Sequence, residues 1–137
     1  MKSTDIPTPY DTDARKILLI GDISRSLLDA DTITEPPCQV YANMLEAIDA
    51  AAKNDFAAIA VVMSGSSAKL NSALKALRKA NSNAKIILLT QMYEEPIAMQ
   101  LVGSTSNGAS IADDYLICPI HFSYLVSRIS YLVRDMH

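Results

Sequence analysis

The sequence predicts a three-layer α/β sandwich around a five-stranded parallel sheet, and three observations carry that reading. Five short apolar runs recur along the chain, each of strand length. Runs such as Lys16–Asp22 and Phe56–Met63 are apolar without alternation, as expected of strands covered on both faces. A segment of helical periodicity comes after each run, so the βα unit repeats five times in about 120 residues. The 137 residues, half apolar and a fifth charged, fit one domain that buries a sizeable core without crosslinks.

At the start of the chain, residues 1–14 are polar and contain two prolines, three aspartates and no apolar stretch. They read as a mobile leader rather than a signal peptide, ahead of a domain over 15–137. "KILLIGD" (Lys16–Asp22) is the first strand, ending in Gly21-Asp22. "ISRSLLDADTIT" places Ile23, Leu27 and Leu28 at helical spacing, and Pro36-Pro37 ends that short helix. "CQVYA" (Cys38–Ala42) is a second, weaker strand. "NMLEAIDAAAKN" is a helix with Asn43 as N-cap and Met44, Leu45, Ile48 and Ala52 as its stripe. "AAIAVVM" is the third strand.

"SGSSAKLNSALKALRKAN" opens as a Ser/Gly loop, with Ser66 or Ser67 as N-cap. It continues as a helix to about Ala80, with Leu70, Ala73, Leu74 and Leu77 inward. "AKIILLT" (Ala84–Thr90) is the fourth strand. "EEPIAMQLVG" is a helix whose Glu94 and Glu95 sit at the positive end of its dipole, with Gly103 as C-cap. "GSTSNGAS" is a flexible loop. "DYLIC" (Asp114–Cys118) is the fifth strand. The last helix carries Phe122, Leu125, Val126, Ile129, Leu132, Val133 and Met136. Right-handed crossovers leave few topologies, of which the flavodoxin-like order 2-1-3-4-5 is the expected one. Function in such a sheet sits at the carboxyl ends of the strands. Here those ends are Gly21-Asp22, Val62 to Ser64, Thr90-Gln91 and Cys118-Pro119.

Charge and composition exclude several classes. The net charge is −3 and no Lys/Arg run exists, which disfavours nucleic acid as a partner. The longest apolar run is too short to span a bilayer, so no membrane association is expected and the protein is placed in the cytoplasm. Cys38 and Cys118 lack CxxC spacing and read as free buried thiols in a reducing compartment. His121 and His137 are too few and too scattered for a metal site, and no cofactor is expected.

Four of these segments, in order, resemble a response-regulator receiver domain (CheY-like). "KILLIGD" stands where receivers have a strand leading into an acidic pair. "FAAIAVVM" stands where they have the strand bearing the phosphorylated Asp. "KIILLT" matches the strand ending in a switch Thr or Ser, and "DDYLICPI" the ending Asp-Tyr-Leu, catalytic Lys and cis Pro. The resemblance spans roughly residues 16–135 and implies a bacterial-type two-component signalling role. Residue by residue, the family's chemistry does not carry over. Receivers need an Asp to accept phosphoryl, an acidic pair to hold Mg²⁺, a Lys to neutralise the phosphate and a hydroxyl to sense it. The acidic pair is here Gly21-Asp22. The acceptor position falls at Val62, or at Met63 or Ser64 if the register slips. The Lys position is Cys118. Thr90 and Pro119 alone match. The chain thus resembles a degenerate, or pseudo-, receiver that takes no phosphoryl group and is not an enzyme.

Its expected role is an interaction or dimerisation module, partnered by another signalling protein or by a second copy. The expected surface is the helix at Glu95–Gly103, the strand at Asp114–Cys118 and the last helix. Tyr115, Tyr124, Arg128 and Tyr131 are its candidate contacts, because interfaces favour Tyr and Arg. The alternative is a nucleotide or anion sensor on the same fold. It would use the loop Ser64, Gly65, Ser66, Ser67 ahead of a helix, with Asp22, Thr90 and Gln91 around the ligand. The loop lacks P-loop spacing, and Ser/Gly before a helix is also ordinary cap chemistry. A third reading makes Cys118 a reactive thiol beside His121. Against it stands the ordinary reading of a free Cys as a small buried hydrophobe.

Overall fold

The computed structural model describes residues 16–30, 38–63, 67–103, 105–106 and 109–134. The strands in chain order are β1 (Ile17–Ile20), β2 (Cys38–Tyr41), β3 (Ala58–Val62), β4 (Lys85–Thr90), β5 (Thr105–Ser106), β6 (Ala109–Ser110) and β7 (Asp114–Ile117). The main sheet is parallel throughout, in the order β2-β1-β3-β4-β7, and β5 and β6 form a separate hairpin. Counting main-sheet strands only, this is the expected 2-1-3-4-5. The helices are α1 (Met44–Lys53), α2 (Ser67–Ala80), α3 (Glu95–Gly103) and α4 (Phe122–Arg134).

The unbroken apolar runs are explained by two cores, one on each face. Leu18 and Ile20 of β1 face one way, with Ile59, Ile86 and Leu88, against Ala47 and Ala51 of α1, Leu70, Leu74 and Leu77 of α2, and Ala98 and Leu101 of α3. Ile17 and Leu19 face the other way, with Ala58, Ala60, Ile87 and Leu89, against Phe122, Leu125 and Ile129 of α4. Side chains alternate along a strand, so apolar residues are needed at every position. Asn43 caps α1 as expected, accepting from Leu45 N at 2.8 Å and Glu46 N at 3.3 Å. The inward face of α1 is shifted from the expected stripe, however. Ala47, Ala50 and Ala51 are buried, Leu45 is 77% exposed and Ala52 is exposed.

Over the described residues 23–30 the first expected helix does not form; the rest of its expected span lies outside the described residues. A 3-10 turn, Ile23–Arg25, follows β1, and turns at residues 26, 28 and 29 flank a bridge at Leu27. Ile23, Leu27 and Leu28 have helical spacing, but long-range pairing overrides it. Leu27 forms an isolated parallel bridge with Ile120. Ile120 N donates to Ser26 O at 2.9 Å, and Leu28 N donates to Ile120 O at 2.8 Å. Leu27 thereby joins the core beneath α4. Asp29 Oδ1 accepts from Phe122 N at 2.8 Å, satisfying one of the orphan donors at the start of α4. Thus the segment after β1 covers part of one sheet face and also caps the last helix.

Two smaller differences concern α3 and the segment between α3 and β7. Gly103 is the last helical residue and has no left-handed φ, so the helix ends without the expected glycine cap. The expected flexible loop contains the antiparallel hairpin of β5 and β6. At the amino end of the sheet, Arg78 ties α2 to the loop before β7. Its guanidinium donates to Ala84 O at 3.0 Å and to Asp113 Oδ2 at 2.8 Å, and Ile86 N donates to the same carboxylate at 2.8 Å. No helix among the described residues is long and apolar enough to cross a membrane.

Candidate functional site

β1, β3 and β4 are neighbours in the sheet, and of the expected pocket residues Asp22 and Val62 line a common cleft at their carboxyl ends. β1 and β3 are in register up to Ile20 and Val61, so the next pair is Gly21 and Val62. Gly21 has φ +109°, a conformation that L side chains rarely adopt. A Cβ at Gly21 would lie 2.8 Å from Val62 Cβ. With the backbone as it stands, any side chain at residue 21 forces Val62 or the strand backbone to shift.

Asp22 N-caps the 3-10 turn, accepting from Ser24 N at 3.2 Å and from Ser24 Oγ at 2.5 Å. Thr90 is fully buried, and its hydroxyl donates to Met63 Sδ at 3.2 Å. The hydroxyl that a receiver would turn toward a phosphoryl group is here engaged by a thioether. Cys118 is 6% exposed and packs in the α4-side core. Burial pushes its thiol up, only partly offset by hydrogen bonds involving Thr90 and Ser26. That works against a thiolate at neutral pH, and no Cys118–His121 hydrogen bond forms among the described residues. Burial likewise pushes Cys38 up to about 11. The Cys118–Pro119 peptide is cis, as the resemblance implies, and Cys118 N donates to Thr90 O at 2.8 Å.

The Mg²⁺ that the resemblance implies does not fit these residues. Such an ion takes several oxygen ligands, usually including carboxylates. Gly21 and Val62 supply no side-chain oxygen, and Asp22 already serves its own turn. Among the described residues no group of three His, Cys, Asp or Glu side chains gathers to hold a metal. Of the Ser/Gly loop, Ser64, Gly65 and Ser66 lie outside the described residues. Ser67 opens α2, and its side chain is likewise outside the description.

Beside the Gly21–Val62 contact lies an open cleft of about 310 Å³. Asp22, Arg25, Val62, Met63 and the Gln91–Glu94 turn line it. Glu94 Oε1 accepts from Gln91 N at 2.9 Å, and Glu94 N donates to Gln91 O at 2.8 Å, which fixes this turn. Arg25, Tyr93 and Glu94 were not legible as site residues. They come from two separate turns, and no spacing in the sequence joins them.

The expected contact residues are split by the pleat of β7. Asp114 faces α4 and accepts from Arg128 at 3.0 Å, and the Arg128 guanidinium also reaches Tyr124 Oη at 3.5 Å. Tyr131 is on the same helix and 64% exposed. Tyr115 points to the other side of the sheet, where its hydroxyl donates to Glu95 Oε2 at 2.7 Å. That hydrogen bond, helped by burial and by the charges of Glu95 and Asp114, holds the phenol above its ordinary value. The folded state therefore keeps a proton that the unfolded chain releases near pH 10, so this contribution is present below about pH 10 and lost as pH rises through the folded value. In an alkaline titration followed by tyrosinate absorbance, one tyrosine should ionise late. Tyr115→Phe should remove that late step, and Glu95→Gln should move it down.

No protein-family model matches the chain, and no curated protein matches it. Solved structures do. An adenylate cyclase structure from Rhodopirellula baltica superposes with a TM-score of 0.67 at 20% identity, covering 88% of this chain and 87% of that one. A two-component response regulator from Clostridium difficile gives 0.59 at 21% identity, covering 90% and 98%. A CheY-like receiver domain protein from Methanospirillum hungatei gives 0.60 at 14% identity, covering 88% and 94%. The fold is therefore the receiver, or CheY-like, fold.

Proposed function

We propose that this chain is a phosphorylation-independent receiver-type module that acts in cytoplasmic signalling by docking, and that it docks as a dimer. One observation carries the first part of the reading. Where a receiver needs an acidic pair beside an acceptor Asp, this chain has Gly21 pressed against Val62, with Thr90 turned to Met63. An aspartyl phosphate needs a carboxylate nucleophile, and the strand ends described supply none at that position.

The docking face proposed is α3, β7 and α4. After Glu95, α3 carries no charged residue, yet Pro96, Ile97, Met99 and Gln100 are exposed. A helix that is apolar on its solvent side is the surface expected of an interaction site. On α4, Tyr124 and Tyr131 are exposed beside Arg128, a composition that interfaces favour. An isologous pairing would bring the same patch of two copies together.

Sedimentation equilibrium over a concentration series tests this. A reversible dimer is expected, and Met99→Glu combined with Tyr131→Glu should weaken it by about ten-fold or more, the loss of a hot-spot contact. Both residues are exposed, so the fold should survive. A monomer at every concentration would overturn the dimer, and an unchanged dimer in the double variant would overturn the face.

A further inference from the structure

The cleft at the strand ends is built differently from the receiver site it adjoins. Its volume, about 310 Å³, is at the lower end of the range for small-molecule sites, about 300–1,000 Å³. Its floor is apolar, formed by Val62 and Met63. Tyr93, 81% exposed, stands at its mouth. Its rim carries Asp22, Arg25 and Glu94. Arg25 is exposed and makes no ion pair among the described residues. Asp22 and Glu94 each give one oxygen to a nearby backbone N–H, which sets the position of the carboxylate. No hydrogen bond to the second oxygen of either forms among the described residues.

Charge selects the ligand class. Two carboxylates and one guanidinium leave the rim one negative charge in excess. A nucleotide phosphate would meet both carboxylates at close range, and a simple cation would meet Arg25; like charges brought together in this way select against a partner. A molecule that satisfies all three groups carries an anionic and a cationic group close together, on an apolar body that can cover Val62 and Met63. We propose that the cleft binds a free amino acid with an apolar or aromatic side chain. Its carboxylate pairs with Arg25, its ammonium group lies between Asp22 and Glu94, and its side chain covers the floor against Tyr93. The cleft residues differ from those of the proposed docking face, so either proposal can fail alone.

Thermal unfolding of the full chain tests the cleft, using L-phenylalanine, L-leucine and L-methionine as probes. N-acetylphenylalanine, phenylalaninamide and adenosine monophosphate serve as comparisons. A saturable rise in Tm is expected with the free amino acids, because a ligand that binds only the folded state stabilises it. The rise should shrink with either blocked analogue and vanish with the nucleotide. Arg25→Gln and Glu94→Gln should each abolish it. The Glu94 change keeps an oxygen for Gln91 N, and Tyr93→Ala, at an exposed position, should weaken the shift without touching the fold. No shift with any free amino acid overturns the proposal. So does an equal shift with both blocked analogues, or a shift that survives Arg25→Gln and Glu94→Gln.

Discussion

Gly21→Ala is expected to cost roughly 2–6 kcal/mol, a large part of the 5–15 kcal/mol typical of a domain. Two effects add. A side chain held at a positive φ outside the usual regions costs about 1–3 kcal/mol, and Gly21 has φ +109°. The new Cβ would also sit 2.8 Å from Val62 Cβ, a contact that strand backbone must move to relieve. Overpacking of this kind costs about 1–3 kcal/mol. A double-mutant cycle in chemical denaturation separates the two. In a Val62→Ala background the clashing Cβ remains, so nearly the full cost should persist. In a Val62→Gly background only the backbone cost of about 1–3 kcal/mol should remain. Equal costs in all three backgrounds would show that residues 21 and 62 do not compete for space. The same contact bears on function, because an acidic side chain at Gly21 would carry this backbone and contact cost.

The second large effect is expected at Asn81, far from the cleft. Asn81 is 8% exposed, just past the end of α2. Its amide donates to Asn54 O at 3.0 Å and to Ala51 O at 3.4 Å, at the end of α1, and its carbonyl oxygen accepts from Ala84 N at 3.3 Å. One side chain thus satisfies the end of one helix, the end of another and the entry to β4. Asn81→Leu fills a similar volume but leaves those backbone groups without their partner. At about 1–3 kcal/mol for each buried unsatisfied group, discounted for partial access to water, the change should cost about 2–5 kcal/mol. Asn81→Asp keeps the acceptor for Ala84 N and loses both donors, so it should also destabilise. Equilibrium unfolding in urea measures both, and a cost below about 0.5 kcal/mol for Asn81→Leu, the range of neutral surface changes, would contradict this role.

Much of the fold was legible because it is written in local terms. Apolar runs without alternation mark strands buried on both faces, and the Asn43 cap marks the start of α1. The parts that were not legible depend on distant partners. Ile23, Leu27 and Leu28 have the spacing of a helix; what prevents one is the pairing with Ile120, more than 90 residues on. Proximity in the chain groups Tyr115 with Tyr124 and Tyr131. Strand alternation held the correction, since Asp114 and Leu116 face α4 and Tyr115 must then face away. At the site, the lack of a carboxylate at Val62 and Met63 was visible in the sequence, but the steric contact between residue 21 and Val62 was not. That contact depends on strand register and on a positive φ, neither of which a single sequence displays. The cleft was hidden for a similar reason: Arg25 and Tyr93 acquire a joint meaning only when two turns are brought together by β1, β3 and β4.

If this receiver fold works without phosphorylation, as proposed, acetyl phosphate with Mg²⁺ adds nothing to the chain, which intact-protein mass measurement after incubation with both reads out. A receiver with its acceptor aspartate, treated in parallel, should gain one phosphoryl group, released again by hydroxylamine as an acyl phosphate. This chain should keep its mass unchanged under the same conditions, as should the Cys118→Lys variant, which restores the missing cation but not the nucleophile. A hydroxylamine-sensitive phosphoryl adduct on the unmodified sequence, at Asp22 or any other carboxylate of the strand ends, would contradict the account.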